Sequence, residues 1–600
     1  MSFDAGQPNS VFDALRPREA QILSRAAAAT YSLDLTALLG LVLVLGGDGG
    51  AEFNASPLGL ADAFRKITGR LTILHQAGRL NAPGAHRTVL PLLDTMLKPI
   101  HADETEGSWH PKVVLARYES RTGHEWRFWI GSRNLTGTAD LDAGLLLVSG
   151  SGPGLKRIPG LADLAAGLLQ EAGWSPGELE ELKAARWACP PGTSVRAVVW
   201  RRPGVRSDFL SSQPLKRPDK VWAVAPFINR TGLAAILQAV RTSVTLLTTR
   251  RAGTDCAPVE AVAFRVWSAP SPHAPVDLEA EQTPPDAEFA DQPPAGIHAK
   301  LLMTGKGAAR ALLLGSANLT SRGLLGPNAE AGVWLDIADP ALAGSLEAFV
   351  ASGMELIPET PDPALRERER RMRDLDAVVS RFLQLPLKLE SGPEGLFLSA
   401  DGPGEALADA AFCAAPFQHP AMLTPWKAGA VRVRLLETPP PTSSQTDLVV
   451  LQAQSLEDPS VRRTWTQKAE FAGFDPDKRD DALLAAYIGP ARFRAWLKSR
   501  LEGIDASGSE RWSDPAPGHG WAGAALAGEF FTLEAMLGKW AADPEAFEAR
   551  LPEILTMLRS FREAFSGITD LAERTLALED LDEVSPFVEA VASAVRAGSQ

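Results

Sequence analysis

One short pattern occurs twice in this chain, and it constrains the fold more than any other feature. His110-Pro-Lys112 is followed, 24 residues after its histidine, by Asn134 within Gly131-Ser132-Arg133-Asn134-Leu135-Thr136. His298-Ala-Lys300 is followed, 20 residues on, by Asn318 within Gly315-Ser316-Ala317-Asn318-Leu319-Thr320. Each copy then continues into an acidic–Ala–Gly–apolar run, Asp142 to Leu145 in the first and Glu330 to Val333 in the second. Two apolar stretches of strand length separated by a polar turn lie between each histidine and its asparagine, which is the signature of a hairpin. The turn absorbs the difference in spacing.

Side chains two apart on an extended segment share a face, so each histidine and its lysine are expected to project together from a strand. The strand that returns alongside ends in Gly, which permits a tight turn, followed by Ser and Asn as neutral hydrogen-bond donors. Each copy therefore offers an imidazole, a cation and polar donors within a small area. Two copies face to face make a pseudo-symmetric pocket for a phosphate group. A lone His-x-Lys is ordinarily a surface feature; two copies with matching Gly-Ser-x-Asn-Leu-Thr tails are not a coincidence of composition. The remaining seven histidines, among them His75, His86 and His419, read as structural or surface groups. Trp109, Trp126 and Trp129, at strand spacing beside the first motif, read as core.

Around the motifs, strand-like runs (70–74, 112–116, 220–228, 244–248) alternate with helix-period stretches (160–185, 232–240), the pattern of α/β layers. The expected division is a first lobe at 1–195, a second at 196–360, a charged helical connector at 361–389, a small β-rich module at 390–456 and a helical region at 457–600. In that last region Trp496, Leu497, Leu501, Leu533, Met536, Leu537 and Leu555 are the expected apolar face. A chain of 600 residues is in any case too long for a single core.

Charge is unevenly placed. Residues 1–350 hold 34 basic and 34 acidic side chains, leaving 26 of the 60 basic and 39 of the 73 acidic ones for 351–600, so the net charge of -13 belongs to the C-terminal part. A nucleic-acid surface would have to be local, and the acidic region is a place for a protein partner. Three scattered cysteines, Cys189, Cys256 and Cys413, suit a reducing compartment and no disulfide framework. The first 17 residues lack the pattern of a signal peptide, and the most apolar stretch, 35–45, is short of the ~20 residues a membrane span needs. The expectation is a cytoplasmic protein with a buried element at 35–45 and no membrane contact.

The doubled HxK…GSxN pattern resembles the phospholipase D superfamily, whose members include lipases, nucleases, phosphatidyl transferases and tyrosyl-DNA phosphodiesterase. The resemblance spans roughly 20–350, including Tyr31-Ser-Leu-Asp34, and is silent on 390–600. It implies two α/β/α lobes with a pseudo-two-fold active site between them. It implies His110 as nucleophile and His298 as general acid, although the residues alone fit the reverse. Lys112 and Lys300 would neutralise the phosphate oxygens, and Ser132, Asn134, Ser316 and Asn318 would hydrogen-bond to them. Asp142 or Glu330 would orient a histidine through its other nitrogen. The lysines supply positive charge and no His–carboxylate cluster has ligand spacing, so neither metal nor other cofactor is called for.

The usual motif has an Asp five residues after the Lys; here those positions are Arg117 and Gly305. This departure is closer to tyrosyl-DNA phosphodiesterase and bacterial nuclease-like relatives than to the lipid-hydrolysing members. The reading is a metal-independent nuclease or DNA-end-processing enzyme, with DNA favoured over RNA. The Ala-, Arg-, Gly- and Pro-rich composition fits a high-GC bacterium, where such chains resemble parts of defence or DNA-processing systems. A phospholipase or phosphatidyl transferase is the alternative within enzymes, and an inactive nucleic-acid-binding scaffold the alternative outside them. With both motifs in one chain, a monomer suffices for a site.

Two acidic stretches precede the histidines: 268–296, with six Asp or Glu residues and many prolines, and Asp103, Glu104 and Glu106. Either they are mobile gates that repel a polyanion until displaced, or the longer one is simply a solvated loop.

Overall fold

The computed structural model describes residues 11–47, 57–83, 88–137, 140–240, 243–267, 296–358, 363–401, 406–502 and 533–598. Two large sheets dominate. The first contains β1 (Ile22–Thr30), β2 (Leu71–Gln76), β3 (Leu97–Ile100), β4 (Val113–Ser120), β5 (Gly123–Gly131), β6 (Gly144–Ser149) and β7 (Trp187–Ala188), in the order β3-β2-β1-β4-β5-β6-β7. The second contains β8 (Thr193–Arg201), β9 (Lys220–Val224), β10 (Ser243–Thr248), β11 (Val262–Val266), β12 (Leu301–Lys306), β13 (Ala309–Gly315), β14 (Glu330–Ile337) and β15 (Met354–Glu355), in the order β15-β11-β10-β9-β12-β13-β14-β8.

The repeat seen in the motifs extends through these sheets. β1 and β2 run parallel, as do β9 and β10. Each first strand is joined on its other side by an antiparallel strand that follows the His-x-Lys, β4 or β12. The hairpins β4–β5 and β12–β13 follow, and then β6 or β14 pairs outside. This is the two-lobe α/β arrangement expected of a phospholipase D-like fold. Inward side chains of both sheets, such as Leu115, Phe128 and Ile130 with Met303, Leu314 and Val333, share one buried cluster with the helices Leu161–Ala172 and Pro340–Ala351. The helical stretch expected over 160–185 is two helices, because Gly173 at φ +74° closes the first before Pro176–Ala184 begins.

The apolar stretch at 35–45 is the helix Leu35–Leu45, capped by Asp34. It is apolar on nearly all sides because it lies in a cluster with the Pro57–Ile67 helix and the C-terminal helices Pro476–Ile488 and Pro544–Ser566. Leu497 and Leu501 are buried there and Leu555 packs against it, but Leu537, expected on the apolar face, is 42% exposed.

After the Pro363–Phe382 helix come β16 (Leu387–Gly392), β17 (Gly395–Ala400), β18 (Ala410–Pro416), β19 (Thr424–Trp426), β20 (Arg432–Leu436), β21 (Leu448–Ser455), β22 (Arg462–Lys468) and β23 (Glu470–Phe471), in two four-stranded sheets. The β-structure thus runs on to Phe471, beyond the 456 expected. β22 (RRTWTQK) is mostly polar, and its alternation was too weak to stand out, yet Trp465 and Thr466 are buried. Thr466 donates from its backbone to Leu80 O (2.8 Å), seating this module on the first lobe. Among the described residues no helix is long and apolar enough to cross a membrane.

Candidate active site

The two motifs meet at the join of the lobes, held by a reciprocal exchange of backbone hydrogen bonds. The His110 N–H donates to Ala329 O (3.1 Å), just before Glu330, and the His298 N–H donates to Leu141 O (2.7 Å), just before Asp142. Each histidine is therefore placed by the strand entry of the opposite copy. Contrary to expectation, neither His-x-Lys lies within a strand: β4 begins at Val113 and β12 at Leu301, one residue after the lysine. The lysines fold back, Lys112 Nζ donating to His110 O (3.0 Å) and Lys300 Nζ to His298 O (2.9 Å). Lys300 Nζ also lies 3.4 Å from His298 Nδ1 and 3.5 Å from Ser132 O of the first copy. Both lysines are buried.

The motif glycines matter for close approach rather than turn shape. A Cβ on Gly315 would lie 2.3 Å from Ala331 O, and one on Gly131 would lie 2.9 Å from Ala143 O. That proximity commits the serines. Ser132 Oγ accepts from Ala143 N–H (2.9 Å) and donates to Ala143 O (3.2 Å), and Ser316 Oγ accepts from Ala331 N–H (3.0 Å) and donates to Glu330 Oε2. Both serines are fully buried. Ser132 and Ser316, expected to bind substrate phosphate, spend their hydroxyls on pinning the turn to the next strand. The asparagines differ. The Oδ1 atoms of Asn134 and Asn318 are both buried without a hydrogen-bond partner, the same unused amide capacity in each copy, in a fold that otherwise satisfies most such groups.

The two halves are not equivalent. His110 Nδ1 lies 3.0 Å from Glu330 Oε2, so the carboxylate fixes the tautomer that leaves Nε2 unprotonated. Burial pushes His110 down to about 4, Lys112 and Lys300 adding to this and Glu330 opposing it. For Glu330 burial alone would raise the carboxyl, but His110, Lys112 and the Ser316 hydroxyl outweigh it and hold the group ionised. His298 is driven well below the usual histidine range by burial, then by Lys300, Lys112 and His110. Asp142, in the place equivalent to Glu330, does not orient a histidine as expected; it pairs with Arg133 at 3.7 Å, and burial raises its carboxyl against the pull of Arg133 and Lys300.

Tyr31 belongs to the Tyr31-Ser-Leu-Asp34 segment of the resemblance; the other wall residues carried no motif signal. The Tyr31 ring packs at 5.0 Å from His110, with the Arg79 guanidinium over it at 5.1 Å and Lys112 Nζ at 5.8 Å. Arg79 Nε donates to Glu104 Oε1 (2.8 Å), and Arg322 donates to the carbonyls of Glu104 and Thr105. The acidic stretch 103–106 is accordingly tethered by two arginines, which does not fit a mobile gate; the other proposed gate, 268–295, lies outside the described residues. Gln76 bridges Trp109 N (2.7 Å) and Ala102 O (2.9 Å). Buried Arg201 donates to the carbonyls of Asn328, Ser207, Leu324, Arg322 and Gly323, shaping the approach to Glu330. Arg117 and Gly305, where the family motif has Asp, serve the scaffold: Arg117 pairs with Glu181, and a Cβ at Gly305 would strike the Trp222 ring at 2.8 Å. Trp109, Trp126 and Trp129 are buried. Among the described residues, no group of three or more His, Cys, Asp or Glu is placed to hold a metal ion.

No protein-family model and no curated protein matches the chain. Among solved structures it is similar to yeast tyrosyl-DNA phosphodiesterase (TM-score 0.32, 14% identity, 53% of this chain and 84% of that one). It is also similar to phosphatidylserine synthase from Haemophilus influenzae (TM-score 0.32, 12% identity, 62% and 91%) and to polyphosphate kinase from Porphyromonas gingivalis (TM-score 0.30, 10% identity, 64% and 55%).

Proposed function

We propose that this chain is a phospholipase D-like phosphodiesterase that cleaves nucleic acid, as a nuclease or DNA-end-processing enzyme in a bacterial defence or DNA-processing setting, through a phosphohistidine intermediate. The observation that carries the reading is the meeting of the two His–Lys segments, Lys300 Nζ lying 3.5 Å from Ser132 O of the first copy, with a single histidine, His110, held by a buried carboxylate.

Neutral His110 presents Nε2 to phosphorus while Glu330 takes up the positive charge that develops on the ring. The N–P bond forms as the P–O bond to the leaving group breaks, and His298 gives its proton to the departing oxygen. A water then attacks the phosphohistidine, His298 takes the water's proton, and His110 is released. Lys112 and Lys300 balance the charge on the non-bridging oxygens, and the amides of Asn134 and Asn318 hydrogen-bond to them. His298 must be protonated to act; burial, then Lys300 and Lys112, disfavour its protonated form, and a bound anionic diester offsets the lysines. A nucleic-acid substrate is supported by the missing motif Asp.

The test is hydrolysis in excess EDTA of single- and double-stranded DNA and RNA and of bis-p-nitrophenyl phosphate, by wild type, His110→Ala and His298→Ala. Cleavage that resists EDTA and is lost in both variants is expected, with DNA the preferred polymer. Cleavage that survives His110→Ala overturns the mechanism, and turnover of phospholipid vesicles with none of DNA or RNA overturns the substrate.

A further inference from the structure

The repeat is broken at one position inside its most constant part. Between the serine and the asparagine the first copy has Arg133 and the second Ala317. His, Lys and Asn are identical in the two copies, so they form a pseudo-symmetric set suited to one phosphate. Arg133 has no counterpart, and adds a cation to one side only.

The structure shows what that cation contacts. Ala317 is 9% exposed and leaves Glu330 to Ser316 and His110. Arg133 instead draws Asp142 towards itself, at a separation of 3.7 Å that is an ion pair without a tight hydrogen bond, and its Nη2 also donates to Thr136 O at 3.5 Å. Both side chains keep contact with solvent, 29% and 25% exposed, so the pair lies at the rim of the site. The charge of Arg133 nevertheless reaches His298. A guanidinium presents a planar fork that matches a phosphate with two parallel hydrogen bonds, better than a loose contact to a single carboxylate oxygen. The Asp142 pairing is thus one that a phosphate can replace.

We infer that Arg133 is a specificity residue that binds a second phosphate of the substrate, next to the one being cleaved, and so selects a polynucleotide strand over an isolated diester. This rests on the phosphodiesterase reading for the identity of the central site. Asp142 holds Arg133 at the rim until that phosphate arrives. Because the cation stands on one side of a pseudo-symmetric pocket, it also sets the direction in which the strand lies.

The test separates binding from turnover. In the His110→Ala background, affinity for a fluorescein-labelled single-stranded DNA dodecamer is measured by anisotropy over a range of salt concentrations. Adding Arg133→Ala is expected to weaken binding roughly tenfold and to reduce the slope of log K against log salt by about 0.7, one phosphate contact on a single strand. Arg133→Lys is expected to keep the slope and lose part of the affinity, because it retains charge without the fork. In the otherwise wild-type enzyme, Arg133→Ala is expected to lower kcat/KM on the DNA at least roughly tenfold more than on bis-p-nitrophenyl phosphate. An unchanged slope, equal losses on the two substrates, or no DNA binding by His110→Ala overturns the inference. Absence of turnover by the wild type counts instead against the phosphodiesterase reading, which the binding measurement does not use.

Discussion

His110 and Glu330 are 220 residues apart in sequence, yet the Nδ1 of one lies 3.0 Å from the Oε2 of the other across the boundary between the two sheets. The carboxylate is fully buried and shared with the Ser316 hydroxyl, so among the described residues its only titratable hydrogen-bond partner is that imidazole. Glu330→Gln preserves the shape and the Ser316 contact but presents His110 with an amide that does not enforce the same tautomer. A fall in kcat of roughly 10²–10⁴-fold with KM little changed is expected, by analogy with loss of the carboxylate that orients a catalytic imidazole. Steady-state kinetics check this, and a kcat within threefold of wild type would remove Glu330 from the mechanism.

The pH profiles should separate the free enzyme from the bound complex. His110 works deprotonated and stays so down to about 4, so the acid limb is set near there. In the proposed mechanism His298 acts protonated, and in the free enzyme it loses its proton well below 6.5, placing the basic limb of kcat/KM on the acid side of neutrality. A bound diester neutralises Lys112 and Lys300, so the basic limb of kcat is expected at higher pH than that of kcat/KM. Coincident limbs would show that the substrate does not titrate His298.

Acid should destabilise the fold through buried histidines. His75 is 3% exposed, and burial pushes it down to about 4, as it does His110. Below the ordinary value of about 6.5 the unfolded chain takes up protons that these folded groups refuse, so stability falls from about pH 6.5 to about 4 and levels off below. Each group accounts for roughly 3 kcal/mol at most. Denaturant midpoints at pH 7.5 and 4.5 are expected to differ less in His75→Leu than in wild type.

Asp94 and Arg479 are both fully buried and joined by two hydrogen bonds, with Thr446 Oγ1 donating to the same carboxylate (2.7 Å). The contact ties the first sheet's 3₁₀ turn to the β-module and to the helix Pro476–Ile488. Arg479→Met leaves a buried carboxylate without its partner and is expected to cost about 3–5 kcal/mol in denaturant unfolding. Asp94→Leu/Arg479→Met removes both charges and is expected to recover much of that loss. A double variant as unstable as the sum of the singles would refute the coupling.

Much of the site was legible because its parts repeat. The hairpins after His110 and His298 follow from local alternation, and the pairing of the two copies follows from one phosphate needing both. The failures share a cause: they are contacts between a side chain and a segment far away in the chain. Nothing about Ser132 marks its hydroxyl as spent on Ala143, and nothing about Arg201 announces five carbonyls. Asp142 and Glu330 are equivalent in the motif; Arg133, two residues past the end of the hairpin at Gly131, diverts one of them. Arg79 lies three residues past β2, whose apolar interior was visible, and Tyr31 lies one residue past β1, which no run in the sequence singled out. The stop of the β-module was misplaced because β22 relies on burial by its neighbours rather than on a pattern of its own.

The exchanged hydrogen bonds at His110 and His298 make the two halves of the site mutually dependent. Each half holds the other's reactive ring in place, so neither can be loosened without disturbing the ring it does not carry. Parting the lobes is therefore a poor way to admit a strand, since it would dismantle the centre that has to receive it. On the proposed nucleic-acid reading, the polymer would come in along a face that is already open, and a severed half would need a second copy of itself to stand where its sister now stands.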